Sequence, residues 1–129
     1  MDIAYGRGYM YSIQYHIVWS IRHKIMTDSI RASLKEILLK IASDNNFSIK
    51  EFYADSNYVH VVVGCTPQHS IPNMIKSLKG VSARLLMKKH SADLKTDSWD
   101  GHLWNLSYLV VTPSNDTDEQ IQVYLQKEK

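Results

Sequence analysis

The apolar residues of this chain switch repeatedly between two periods, and the order of those switches admits few folds. From Gly8 to Ile21, the residues Tyr11, Ile13, Tyr15, Ile17, Trp19 and Ile21 alternate with Ser12, Gln14, His16, Val18 and Ser20, the period-two pattern of a half-buried strand. Ile30, Leu34, Ile37, Leu38 and Ile41 then recur at helical spacing behind Thr27 or Asp28 as cap, and Asp44-Asn45-Asn46 ends the run. Phe47 to Ala54 and Tyr58 to Cys65 read as two strands joined by the Asp55-Ser56-Asn57 turn. Ser70 can cap a second helix with Pro72 in its first turn and Ile71, Met74, Ile75, Leu78, Val81 and Leu85 as its apolar stripe. A polar connection, Ser91 to Gly101, leads to a further alternating strand from His102 to Thr112. Thr117 and Gln120 match a capping box that opens a final helix through Glu128.

This order, β-α-β-β-α-β plus a C-terminal helix, predicts an α+β, ferredoxin-like fold: an antiparallel sheet with helices packed on one face. The 129 residues allow one domain, 1–129, around a single core. With 44% hydrophobic and 22% charged residues, disordered and collagen-like classes are excluded. No apolar run approaches the roughly 20 residues that span a bilayer, and no basic segment leads into an apolar signal region. The single cysteine, Cys65, excludes an internal disulfide and a cysteine zinc cluster. The expectation is a cytoplasmic protein with Cys65 in its core and no membrane partner.

Net charge is +2, but its distribution is uneven. No acidic residue lies between Asp55 and Asp93, whereas Lys76, Lys79, Arg84, Lys88 and Lys89 all do. That stretch suits an anionic partner, or equally a solvated helix face.

Two places could carry chemistry. Tyr58 and His60 stand at i and i+2 on one strand, so both side chains leave the same face. They are compatible with a metal site or with a hydrogen-bonded structural pair. Tyr124 and Glu128 share a face of the last helix at i and i+4, the spacing of a phenol nucleophile with a supporting carboxylate, or of a packed helix end. His16, on the polar face of the first strand, and His23, His69, His90 and His102 form no ligand pair at usual spacing. His102-Leu103-Trp104 could stack on a nucleobase, although a tryptophan there more often joins the core.

Taken in order, these segments resemble the single-tyrosine HUH transposases of insertion-sequence-200 type over nearly the whole chain. Tyr15-His16-Ile17-Val18-Trp19 opens the match, and Asn57-Tyr58-Val59-His60-Val61-Val62-Val63 falls where the family reads Asp-His-Val-His followed by aliphatics. Ser70 through Lys79-Gly80 and Ser82 resembles its Ser-Val…Leu-Lys-Gly-Lys-Ser helix, and Leu103-Trp104 through Tyr108 its Phe-Trp…Gly-Tyr strand. Ile121 to Glu128 resembles its Tyr-Ile-x-x-Gln nucleophile helix. The resemblance implies an enzyme that binds hairpin or single-stranded DNA at the ends of a mobile element and cuts and rejoins it. Tyr124 would attack to leave a 5′-phosphotyrosine and a free 3′-hydroxyl, with Mg2+ or Mn2+ aligning the phosphate and no need for ATP. It also implies a homodimer, often with the tyrosine helix of one subunit completing the site of the other. His60 and Glu128 fall on ligand positions, and Lys76, Lys79, Arg84, Lys88 and Lys89 become candidate phosphate contacts.

The chain departs from the family pattern twice. The first histidine of the motif is Tyr58, and the third-ligand glutamine is Glu128. A carboxylate suits Mg2+ or Mn2+, but a neutral phenol with a pKa near ~10 is a weak ligand. Two further readings follow: a relative that grips hairpin or single-stranded DNA without cutting it, and a ferredoxin-like RNA-binding domain, which the strands disfavour because they lack its aromatic stacking signature.

Overall fold

A computed structural model describes residues 3–95 and 99–128. The run from Gly8 to Ile21 is not one strand. Ala4–Gly6 (β1) and Tyr9–Tyr11 (β2) form a small antiparallel hairpin, and only Ile13–Ser20 (β3) enters the main sheet. The turn explains the split: Gly8 adopts φ +84°, a left-handed conformation open to glycine, which reverses the chain.

Asp28–Asp44 (α1) is capped by Thr27, whose hydroxyl accepts from the Ile30 N–H at 3.1 Å. Ser48–Ala54 (β4) and Tyr58–Cys65 (β5) follow. Their turn is set by Asp55, whose carboxylate accepts from the Asn57 and Tyr58 amides at 2.7 and 3.1 Å. Ile71–Lys76 (α2), capped by Ser70, runs through a π-helical turn, Ser77–Val81, into Ser82–Leu94 (α3). The helix therefore takes up Ser91–Leu94, which the sequence pattern assigns to a connection; residues 96–98 of that connection lie outside the described residues.

The fourth predicted strand is much shorter than its alternation suggests. Only Leu109–Val111 (β6) pairs with β3, while Trp104 makes an isolated bridge to Ile21. Tertiary contacts override the pattern here. The Trp104 indole is buried in the core with its N–H shared between Lys79 O and Ser82 Oγ, at 3.1 and 3.2 Å. After the Asn105 N–H, which still donates to Ser20 O at 3.0 Å, the carbonyls of residues 105–107 turn toward Lys79 instead of continuing the ladder.

Thr117–Lys127 (α4) begins at the predicted place without the predicted capping box. Asp116 is the N-cap and makes no side-chain cap bond. Thr117 Oγ1 instead accepts from the Ser114 amide at 2.9 Å and donates to Thr112 O, bracing the preceding turn. Asp118 and Glu119 in the first turn and Lys127 in the last suit the helix dipole.

The sheet order is β4-β5-β3-β6, antiparallel throughout, as a ferredoxin-like fold requires. Alternation sorts its two faces. Ile17, Trp19, Val59, Val61 and Val63 point into a core closed by Leu34 and Leu38 of α1, Leu78 of the π turn and Leu86 of α3. Each such side chain contributes roughly 1.5–3 kcal/mol by leaving water. Cys65 lies in this core, as expected. His16, Val18, Ser20, Tyr58, His60 and Val62 occupy the opposite face, where α4 lies against β3 and β6 with Ile121 buried beneath it. No described helix is long and apolar enough to cross a membrane.

Candidate active site

The face under α4 gathers Tyr58, His60, Tyr124 and Glu128, the four side chains that the sequence singled out for chemistry, together with His16. Antiparallel register sets Ser20 opposite Tyr58 and Val18 opposite His60, with His16 one step along opposite Val62. His16 and His60 therefore meet diagonally across the two strands, Nδ1 to Nε2 at 2.9 Å. One ring must donate and the other accept, so at most one of the two facing nitrogens carries the proton between them. Burial, and then the neighbouring His16, hold the His60 pKa below 6.5, which favours a neutral ring.

Helix α4 delivers Tyr124 and Glu128 from above. The Tyr124 phenol lies 2.9 Å from Ser107 Oγ and 3.2 Å from Glu128 Oε1, and the same carboxylate oxygen accepts from Ser20 Oγ at 3.2 Å and from Ser107 Oγ. Ser107 donates its single proton to Glu128, and the one phenolic proton of Tyr124 lies between Ser107 Oγ and Glu128 Oε1. Asn105 Nδ2 donates to Ser20 Oγ at 2.7 Å, joining the segment after Trp104 to β3. Burial pushes the Tyr124 phenol above its ordinary 10.0, while the Ser107 hydrogen bond leads in pulling the Glu128 carboxyl below 4.5. At neutral pH the site holds a protonated phenol beside an ionised carboxylate.

The donor set does not assemble as the resemblance implies. Glu128 is committed to two serines and Tyr124, and His60 Nε2 faces His16 rather than a second motif histidine. Tyr58 stacks its ring 5.4 Å from that of Tyr53, tilted by 39°. Among the described residues no three His, Cys, Asp or Glu side chains form a cluster that could hold a metal ion. His60 and Glu128 thus do not fit a three-ligand divalent site as they stand, and the phenol of Tyr58 adds only a weak donor.

The basic residues divide. Lys76, Arg84, Lys88 and Lys89 are exposed on α2 and α3, in the helix layer on the side of the sheet away from Tyr124. Lys79 is half-buried and donates to the carbonyls of Asn105, Leu106 and Ser107 at 2.7, 3.2 and 3.0 Å. Trp104 belongs to the core, packed edge-on to Trp19 at 5.9 Å, and is no stacking surface. Of the remaining histidines, His69 accepts from the Thr66 amide, and His90 bonds Ser33 Oγ at 2.9 Å.

His16, Ser20, Asn105 and Ser107 are the site residues that the sequence reading missed. His16 and Ser20 carried a signal, since both sit on the polar side of the β3 alternation. Asn105 and Ser107 share one phase of the alternation from His102 to Thr112, but their segment leaves the strand that this alternation predicts.

With this geometry established, comparison with known proteins agrees on ancestry. The profile of the family described as "Transposase IS200 like" matches residues 9–128. The ISDra2 transposase TnpA of Deinococcus radiodurans is 36% identical over 130 residues, covering 99% of this chain and 92% of that protein. A crystal structure of a candidate transposase from Deinococcus radiodurans R1 superposes with a TM-score of 0.90 at 41% identity, covering 96% of each chain. A REP-associated tyrosine transposase solved bound to a REP hairpin shares the fold at TM-score 0.58 and 13% identity, covering 95% of this chain and 68% of that one. A sequence match over nearly the full length, together with a near-superposable fold, means that this chain belongs to the IS200-like transposase family.

Proposed function

We propose that this chain binds hairpin or single-stranded DNA at the ends of a mobile element and cuts and rejoins one strand through Tyr124. The observation that carries the reading is the Tyr124 phenol, held over the polar face of the sheet by Ser107 and Glu128. In the cutting step the Tyr124 oxygen bonds to phosphorus, the P–O3′ bond breaks, the phenolic proton leaves, and the departing 3′-oxygen takes up a proton. The product is a 5′-phosphotyrosine with a free 3′-hydroxyl, and rejoining reverses these changes with another 3′-end. Glu128, ionised and in contact with the phenol, orients it, and Ser107 limits its rotation. A homodimer is part of the proposal, although α4 here covers β3 and β6 of its own chain.

Tyr58 favours a second reading. With a phenol in the motif and no three-ligand cluster among the described residues, the protein grips DNA and fails to cut it. The deciding experiment incubates labelled single-stranded DNA from the element ends with Mg2+, Mn2+ or chelator, followed by a denaturing gel. A covalent adduct with wild type that is absent with Tyr124→Phe supports the first reading, and the chelator lane measures the metal requirement. Binding without adduct in wild type, but with adduct in Tyr58→His, establishes the second.

A further inference from the structure

Lys79 sits where the helix widens into its π turn, a distortion that often accompanies functional sites. The widened turn turns the Lys79 carbonyl toward Trp104, whose indole N–H donates to it at 3.1 Å. The side chain continues in the same direction. Its ammonium donates to three successive carbonyls, Asn105, Leu106 and Ser107, and lies 5.9 Å from the centre of the Tyr108 ring. Backbone and side chain of one residue thus hold the segment between Trp104 and β6. Beyond the Asn105 N–H, which donates to Ser20 O at 3.0 Å, that segment has no ladder bond to β3, yet it presents the Asn105 side chain to Ser20 and Ser107 to both Tyr124 and Glu128.

We propose that Lys79 is a positioning residue for the nucleophile: its ammonium fixes the backbone of residues 105–107, so that Ser107 Oγ holds the Tyr124 phenol. The inference rests on the reading of Tyr124 as nucleophile. It departs from the sequence expectation that Lys79, like its basic neighbours, contacts DNA phosphate. Three carbonyls satisfy the three N–H donors of an ammonium, leaving none for a phosphate unless the segment is released. Among the five basic residues of the 76–89 stretch, Lys79 alone is half-buried; the other four are exposed.

The two roles separate in one set of measurements on the full chain. Lys79→Met keeps the buried stem and removes the donors, while Lys79→Arg keeps the charge but replaces the compact three-donor head with a planar fork. The expected result is single-turnover adduct formation slower by on the order of tenfold to a hundredfold in both variants, with DNA affinity and its salt dependence unchanged. Ser107→Ala should reproduce the loss, and Lys79→Met in the Ser107→Ala background should add little, because the two act in series. Ring resonances of 13C-labelled tyrosine, with Tyr124 assigned through Tyr124→Phe, should show Tyr124 shifted in Lys79→Met without any DNA present. A Lys79→Met protein with weaker, less salt-sensitive DNA binding, rescue by Lys79→Arg and an unmoved Tyr124 resonance would overturn the proposal in favour of a phosphate contact. If wild type forms no adduct, the nucleophile reading fails, and the Tyr124 resonance still decides whether Lys79 positions that ring.

Discussion

His16 Nδ1 and His60 Nε2 face each other at 2.9 Å across β3 and β5, so protonating both rings would set two cations side by side. The folded His60 pKa lies below the ordinary 6.5, and the unfolded chain therefore takes up a proton that the folded chain refuses. Stability from this group is complete above pH 6.5 and declines as pH falls below it, until the folded pKa is passed. Melting temperatures between pH 8 and pH 5 should show this decline, and His16→Gln should make it shallower without removing it, since burial is the larger cause. An unchanged slope in His16→Gln would mean that the rings are not coupled.

Tyr124→Phe removes one hydroxyl from a network with four other side chains, Ser20, Asn105, Ser107 and Glu128. DNA binding should survive and the covalent adduct should disappear. The cost in stability should stay near ~1 kcal/mol, because Ser107 and Ser20 still donate to Glu128. Equilibrium denaturation beside the adduct assay reads both effects, and an adduct persisting in Tyr124→Phe would move the nucleophile elsewhere.

Tyr58→His places a second imidazole two residues before His60 on the same face of β5. Binding of Mn2+, followed by titration calorimetry, should tighten relative to wild type, and adduct formation with Mn2+ should rise. Loss of the Tyr53–Tyr58 ring contact at 5.4 Å should cost only about 0.5–1.5 kcal/mol. Equal metal affinity in the two proteins would show that Tyr58 is not what limits the site.

Lys76, Arg84, Lys88 and Lys89 lie in the layer opposite Tyr124. Replacing Arg84 and Lys88 with alanine should weaken hairpin binding and lower the salt slope by roughly 0.7–0.9 for each lost phosphate contact. Adduct formation at saturating DNA should not change. A fall in that saturated rate would place these residues beside the cut phosphate, which the layering of the fold does not favour.

The order of elements, the sheet they build, the Tyr58–His60 strand and the Tyr124–Glu128 helix were all legible in the sequence. Periodicity and turn chemistry are local, and β5 and α1 fall where those signals place them because no tertiary contact opposes them. The small hairpin of β1 and β2 is not read from the sequence, because the alternation from Gly8 to Ile21 reads as one strand and conceals the turn at Gly6-Arg7-Gly8. What only the tertiary structure decided was which polar groups meet. The His16–His60 contact depends on strand register, and Ser107 lies beside Tyr124 in a segment, 105–107, whose carbonyls turn to Lys79 and leave the predicted strand after Trp104. Glu128, at the end of α4, meets Ser20 of β3 and Ser107 of the segment before β6 instead of His60. Period and composition describe one segment at a time, whereas register, helix placement and competition for hydrogen bonds are properties of segments distant in the chain, and they exist only once those segments pack.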